Sequence, residues 1–148
     1  MLKMSIRNEI IMDFSSNSEN ESLARTVISA FVARLDPTLE ELADIKTAVS
    51  EAVTNAIIHG YEKQPGMVRM KAVIQENVLS IEISDQGAGI ENLKRAMEPM
   101  YTSKPELDRS GMGFAFMEAF MDELEVSSAR NKGTTVIMRK KIGESAGK

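Results

Sequence analysis

Glu51 and Asn55 lie four residues apart in Ser50-Glu51-Ala52-Val53-Thr54-Asn55-Ala56, which sets a carboxylate and an amide on one edge of a helix. The amide offers a hard carbonyl oxygen of the kind Mg2+ accepts, and Mg2+ completes its shell with phosphate oxygens and water. The carboxylate one turn earlier is then a candidate general base for whatever attacks that phosphate. Asp85-Gln86-Gly87-Ala88-Gly89-Ile90 adds a second carboxylate followed by two glycines. Glycine lets backbone approach a planar ligand with no Cβ in the way. An aspartate there accepts a hydrogen bond from an exocyclic amine such as adenine N6; guanine presents an oxygen at that point and is disfavoured. Gly111-Met112-Gly113 opens an apolar helical run, where free N–H groups and the positive end of the helix dipole bind anions. Lys104 and Arg109, just upstream, are charge-assisted donors in reach of the same phosphates.

Each of these features, taken singly, has an ordinary structural account. Glu51 and Asn55 suit a solvated helix edge, Asp85 to Gly89 a turn after a strand, and Lys104 and Arg109 a pair of solvated loop cations. Neither standard phosphate loop fits: there is no G-x-x-x-x-G-K-[ST], and Phe116 stands where G-x-G-x-x-G needs its last glycine. His59, one turn beyond Asn55, reads as a helix-end residue, and Thr134 and Thr135 are both candidates to set a hydroxyl beside Asp85.

The elements that must position these residues follow from periodicity. Ile10, Met12 and Phe14 alternate in a strand from Ile6 to Phe14. Ser18 with Glu21 predicts a capped start for a helix bearing Ala24, Ile28, Phe31 and Leu35, which Asp36-Pro37 stops. Thr38 with Glu41 repeats the capping pattern, and Leu42, Ile45, Val49, Ala52 or Val53, and Ala56 carry a second, long helix to a stop at Gly60. Two strands follow, Val68 to Ile74 and Val78 to Asp85; in the second, Leu79, Ile81 and Ile83 share a face with Asp85, so the aspartate is delivered to a covered position. Residues 86–110 lose the apolar period and predict a long loop with a short helix near Glu91 to Met97. Phe114, Met117, Phe120 and Met121 mark a third helix, Gly133 to Met138 a last strand, and the tail after Ile142 is expected to fray. The expected fold is α+β: one domain over 1–148, a two-layer α/β sandwich with helices on one face of a mixed, mostly antiparallel sheet.

Composition narrows the function. The chain has 148 residues, 43% of them hydrophobic, enough for one core. It has no Cys and one His, which excludes a disulfide framework and leaves too few soft ligands for a zinc centre. Eighteen basic against 22 acidic residues, with no basic run, make nucleic acid a poor partner, and no segment has the length or apolarity of a membrane span or a signal peptide. The expected location is cytoplasmic. Most of the eleven Met residues read as core filler.

The order S-E-A-V-T-N-A, D-Q-G-A-G-I, G-M-G-F and G-T-T resembles the N box and three glycine boxes of the Bergerat (GHKL) ATP-binding family, which includes DNA gyrase and histidine-kinase catalytic domains, and the resemblance covers Ser18 to Met138. S-E-N-E-S-L-A-R, L-D-P-T, T-S-K-P-E-L-D-R-S-G-M-G-F and F-M-D-E bring the chain closest to the small anti-sigma factor serine kinases of the sporulation type. That resemblance implies ATP or ADP with Mg2+ as cofactors: Asn55 on the metal, Glu51 as the base for a substrate serine, Asp85 on the adenine amine supported by Thr135, and Gly87, Gly89 and Ile90 shaping the pocket. It also implies phosphate contacts from Lys104, Arg109, Ser110, Gly111 and Gly113, a place for Phe114 among the cofactor-binding residues, and a partner-binding Arg25. The implied partners are a sigma factor of the sigma F type and an anti-anti-sigma phosphoacceptor, with the chain as a homodimer and with neither nucleic acid nor membrane bound directly. A general-stress anti-sigma kinase, or a nucleotide-gated binding module with negligible catalysis, is the competing expectation.

Overall fold

Burial at period two and burial at period 3.6 divide the described residues into ten segments. The computed structural model describes residues 7–62, 64–90, 97 and 113–143. Strand β1 (Arg7–Ser15) leads to helix α1 (Glu19–Val32), which tightens into a 3-10 turn at Ala33–Leu35. Helix α2 (Leu39–Asn55) widens into a π turn at Ala56–Gly60, and the hairpin β2 (Met67–Gln75) and β3 (Val78–Asp85) follows. Helix α3 (Gly113–Phe120), β4 (Glu123–Ser128) and β5 (Thr134–Lys141) complete the described chain. The predicted short helix near Glu91 to Met97 lies, but for Met97, outside the described residues, and so does the tail beyond Gly143.

The five strands pair in the order β1-β2-β3-β5-β4, every pair antiparallel, so among the described residues the sheet is uniformly antiparallel where a mixed one was expected. Val68, Met70, Ala72 and Ile74 of β2, Leu79, Ile81, Ile83 and Asp85 of β3, and Thr134, Val136 and Met138 of β5 are buried on one face, and the helices cover it. Ile28 and Val32 from α1, Ile45, Val49 and Val53 from α2, and Met117 from α3 fill the layer between. The opposite face carries charge: Arg69 binds Asp13 through Nε–Oδ1 at 2.7 Å and Nη2–Oδ2 at 3.0 Å, and Arg139 binds Glu123 and Glu125.

The two helix starts differ from one another. At α2, Thr38 Oγ1 accepts from the Glu41 N–H at 3.0 Å and Glu41 Oε1 accepts from the Thr38 N–H at 2.9 Å, the reciprocal capping box that the sequence predicts. At α1, Ser18 is already helical and its side chain makes no cap; Asn17 Oδ1 takes the Glu19 N–H at 2.9 Å instead. The break between the helices is Asp36 in the left-handed region, φ 52°, just before Pro37.

Glu41 does more than cap. It is only 6% exposed, and its Oε2 accepts from the Gly143 N–H at 3.0 Å, so the end of β5 is tied to the start of α2. Burial, the largest influence, pushes its carboxyl up, and the Thr38 and Gly143 N–H groups, the Thr38 hydroxyl and the Lys140 charge together more than reverse it, leaving the pKa below the ordinary value. A lowered folded-state pKa contributes stability above the unfolded value, lost as pH falls through the folded one. Glu41→Ala is therefore expected to cost about 1–2 kcal/mol at neutral pH, with the deficit shrinking in acid. Denaturant midpoints at pH 7 and pH 3 check this, and equal midpoints at pH 7 would refute it.

Candidate functional site

Asp85 closes β3 on the helix-facing side of the sheet and is 4% exposed, as its period-two position predicts. The backbone around it is built for close approach. A Cβ on Gly60 would stand 2.8 Å from the Asp85 carboxylate, and one on Gly87 would stand 2.0 Å from the Gly60 carbonyl oxygen. The glycine at 60, read from sequence as a helix stop, is thus required by the carboxylate packed on it. The widened π turn delivers it there, with the Tyr61 N–H donating to the Ala56 carbonyl at 2.9 Å.

Asp85 Oδ1 accepts from the Gly87 N–H at 2.9 Å. Burial dominates and raises the carboxyl above its ordinary pKa, while the N–H groups of Gly87 and Thr134 pull it back. The loop after Asp85 is pinned on both sides. Ala88 N–H donates to the Gly60 carbonyl at 2.7 Å, and Gly133 N–H donates to the Gly87 carbonyl at 3.1 Å. The Tyr61 hydroxyl donates to the Met67 carbonyl at 2.6 Å and accepts from the Gln86 N–H at 2.8 Å. Gly89, at φ 75°, lies where a Cβ would come within 1.9 Å of the Ala129 carbonyl oxygen, so its glycine answers to the β4–β5 turn.

The last strand corrects one expectation. Asp85 is the register partner of Thr134, while Thr135 stands opposite Ser84 on the other face of the sheet. Thr135 therefore does not support Asp85; side chains alternate, and Thr134 shares the buried face with Val136 and Met138. The Thr134 hydroxyl lies 2.7 Å from Ser128 Oγ, which also accepts from the Ile90 N–H at 2.7 Å. Neither Ser128 nor Tyr61 carries a sequence signal for these roles, since neither residue type at those positions announces one.

Across α2, Glu51 and Asn55 are both half-buried at the edge that faces α3. Gly113, at the start of α3, comes close: a Cβ there would lie 3.4 Å from Glu51 Oε1, an ordinary contact. Among the described residues nothing in the packing requires glycine at 113, and the space it leaves adjoins the carboxylate. Phe114 is 7% exposed and sits in the core, so only its backbone is available to a ligand. Ile90 packs against the core edge. Lys104, Arg109, Ser110 and Gly111 lie outside the described residues. Arg25, on α1, has its Nε 3.6 Å from Glu21 Oε1, and Glu21 Oε2 accepts from the Thr54 hydroxyl at 3.1 Å, which links Arg25 to the residue beside Asn55.

The site therefore has two ends: a buried acceptor set among backbone groups, and a carboxylate-amide pair beside a helix start. Among the described residues no three His, Asp or Glu side chains converge, so no all-protein cation cage is formed. Asn55 as a single hard oxygen donor suits a cation that shares its shell with phosphate. No described helix is long and apolar enough to cross a membrane.

The family described as a histidine kinase-like ATPase domain matches residues 14–140, from the end of β1 to the end of β5. Over 137 residues, 93% of this chain and 96% of its own length, an anti-sigma F factor of Clostridium acetobutylicum is 57% identical. One from Clostridium perfringens is 62% identical over 136 residues, 91% of this chain and 97% of its own. The chain belongs to the anti-sigma F factor family. Both relatives are matched over nearly their whole length. Among solved structures, the RsbU and RsbW domains of a Mycobacterium tuberculosis protein match with a TM-score of 0.65 at 18% identity, over 91% of this chain and 32% of that one. A blue-light activated histidine kinase of Erythrobacter litoralis matches with a TM-score of 0.55 at 21% identity, over 76% of this chain and 34% of that one. These two likenesses show the fold, the same sandwich of helices on one sheet face.

Proposed function

We propose that this chain is an ATP-dependent partner switch in the cytoplasm: loaded with ATP it holds a sporulation sigma factor of the sigma F type, and it phosphorylates a serine of a small anti-anti-sigma protein that otherwise displaces the sigma factor. The observation that carries the kinase half is the approach of Gly113, at the start of α3, to within 3.4 Å of Glu51 Oε1 by its missing Cβ. That approach supports a reading in which Glu51 receives the proton of a hydroxyl that attacks a phosphate held at the helix start.

The residues divide the work. Asp85 accepts from the adenine amine, and Gly60 and Gly87 let the π turn and the loop after β3 close directly on that carboxylate and hold it in place. Gly113, with Gly111, Ser110, Lys104 and Arg109, binds the phosphates through N–H groups, the helix dipole and charge-assisted bonds. Asn55 holds Mg2+, which neutralises phosphate charge when bound. Glu51 takes the proton of the substrate serine as its oxygen bonds to the γ-phosphorus; the bond from that phosphorus to the bridging oxygen breaks and ADP leaves. Most of the catalysis is positioning and charge neutralisation, which suits a site with one base and no covalent nucleophile. Arg25, tethered through Glu21 to Thr54 at 3.6 and 3.1 Å, receives the protein partners, and the active species is a homodimer.

Capture from host lysate with the tagged protein under Mg·ATP or Mg·ADP, read by mass spectrometry, tests the switch. A sigma factor is expected with ATP, the small anti-anti-sigma domain with ADP, and phosphoserine on that domain. Capture of a different sigma factor would move the chain to the general-stress branch. The same partners under both nucleotides, with no phosphoserine, would leave a passive binding module.

A further inference from the structure

Three groups converge on the hydroxyl of Ser128, at the end of β4. The Ile90 N–H donates to Oγ at 2.7 Å, the Gly133 carbonyl accepts from it at 3.0 Å, and Thr134 Oγ1 lies 2.7 Å away. A hydroxyl carries one proton. The Ile90 N–H can only donate and the Gly133 carbonyl can only accept, so all three contacts are satisfied together in a single way: Ser128 gives its proton to Gly133, and Thr134 gives its own to Ser128. The Thr134 hydroxyl is then spent as a donor and has only lone pairs left. Thr134 is the register partner of Asp85 on the buried face, and both are 4% exposed.

We propose that Ser128 is a specificity-determining positioning residue: by consuming the Thr134 proton it makes the Asp85–Thr134 end of the site acceptor-only, so that the site takes a purine bearing an exocyclic amine and rejects one bearing a carbonyl at that position. The inference deepens the ATP reading above and rests on it. The ionised Asp85 carboxylate only accepts. A Thr134 hydroxyl free to rotate could turn its proton outward and give guanine O6 a donor, directly or through a water. Ser128 removes that option without touching the ligand, and its bond to the Ile90 N–H fixes the same loop whose Gly87 N–H holds Asp85.

Calorimetric titration of ATP, GTP and inorganic tripolyphosphate into wild type, Ser128→Ala, Ser128→Thr and Thr134→Val tests it, with ADP-free protein and Mg2+ present. The expected result for Ser128→Ala is a preference for ATP over GTP reduced by about tenfold, with tripolyphosphate binding unchanged. Ser128→Thr keeps the hydroxyl and is expected to keep the preference. In the Thr134→Val background, which has no hydroxyl to orient, Ser128→Ala is expected to change the preference no further, a non-additivity that a purely structural role does not produce. Equal losses for all three ligands with an unchanged ATP:GTP ratio, or additive effects in the double variant, would overturn the proposal. Wild-type protein without any ATP preference would remove the ATP reading itself, and this inference with it. Should Ser128→Ala fail to fold, Ser128→Cys, which keeps the size and weakens the bonds, serves for the same ratio.

Discussion

Glu51→Gln is expected to slow phosphoryl transfer to the anti-anti-sigma serine by roughly 10²–10⁴-fold while leaving ATP affinity within a few-fold of wild type. The exchange is nearly isosteric and keeps Glu51's place on the half-buried edge of α2, so the helix and the approach of Gly113 should survive it. What it removes is the proton acceptor. The amide cannot take the serine proton as the bond to phosphorus forms, and the loss should therefore fall on the chemical step, not on binding. Single-turnover transfer with labelled ATP measures the first quantity and calorimetry the second. Transfer at the wild-type rate would exclude Glu51 as the base. Lost ATP binding in parallel with lost transfer would assign Glu51 to holding nucleotide. The same variant should still capture the sigma factor under ATP, because Asp85 and the glycines remain; this makes it a tool for separating sequestration from phosphorylation.

The elements were legible where one physical signal dominated. Thr38 and Glu41 predict the start of α2 because a reciprocal cap is a local matter of four residues, and it forms as read. Leu79, Ile81 and Ile83 put Asp85 on the covered face because alternation leaves no other choice. Elsewhere tertiary context overrode the local signal. The cap that the sequence predicts at Ser18 is made by Asn17 as the chain leaves β1, while the Asn20 side chain donates back to the Ser15 carbonyl. Strand β4 leaves little trace in the sequence although Leu124 and Val126 alternate with Glu123 and Glu125, since six residues with only two large apolar side chains give a weak period. The choice between Thr134 and Thr135 was also open to alternation, for Thr134 keeps step with Val136 and Met138. The carboxylate-packing role of Gly60 and the converging bonds on Ser128 were not legible at all. They depend on a backbone segment meeting a side chain 25 and 38 positions away in sequence, and no local spacing encodes that.

Asp85→Asn is expected to move binding and stability in opposite directions. On the binding side, the carboxylate gives a charged acceptor to the adenine amine, and hydrogen bonds to charged groups contribute about 1.5–3 kcal/mol, so the amide should weaken ATP by roughly 10- to 100-fold. On the stability side, burial raises the Asp85 pKa, against the opposing pull of the Gly87 and Thr134 N–H groups. A raised folded-state pKa means the folded protein holds the proton more tightly than the unfolded chain, so stability declines as pH rises from the unfolded carboxylate value through the folded one. Asn carries no such charge. The nucleotide-free variant should therefore melt above wild type at pH 7, and the gap should close as pH falls through the carboxylate range. Affinity has the same origin: wild-type ATP binding should weaken as Asp85 takes up its proton, beginning at a higher pH than an ordinary carboxylate would set, and Asp85→Asn should lack that dependence. Calorimetry from pH 5 to 8 and thermal melts without nucleotide give both readings. Unchanged ATP affinity would take Asp85 out of the base-binding site, whereas a variant that melts lower at pH 7 would mean that the ionised carboxylate contributes more to the Gly60–Gly87–Thr134 backbone than its burial costs.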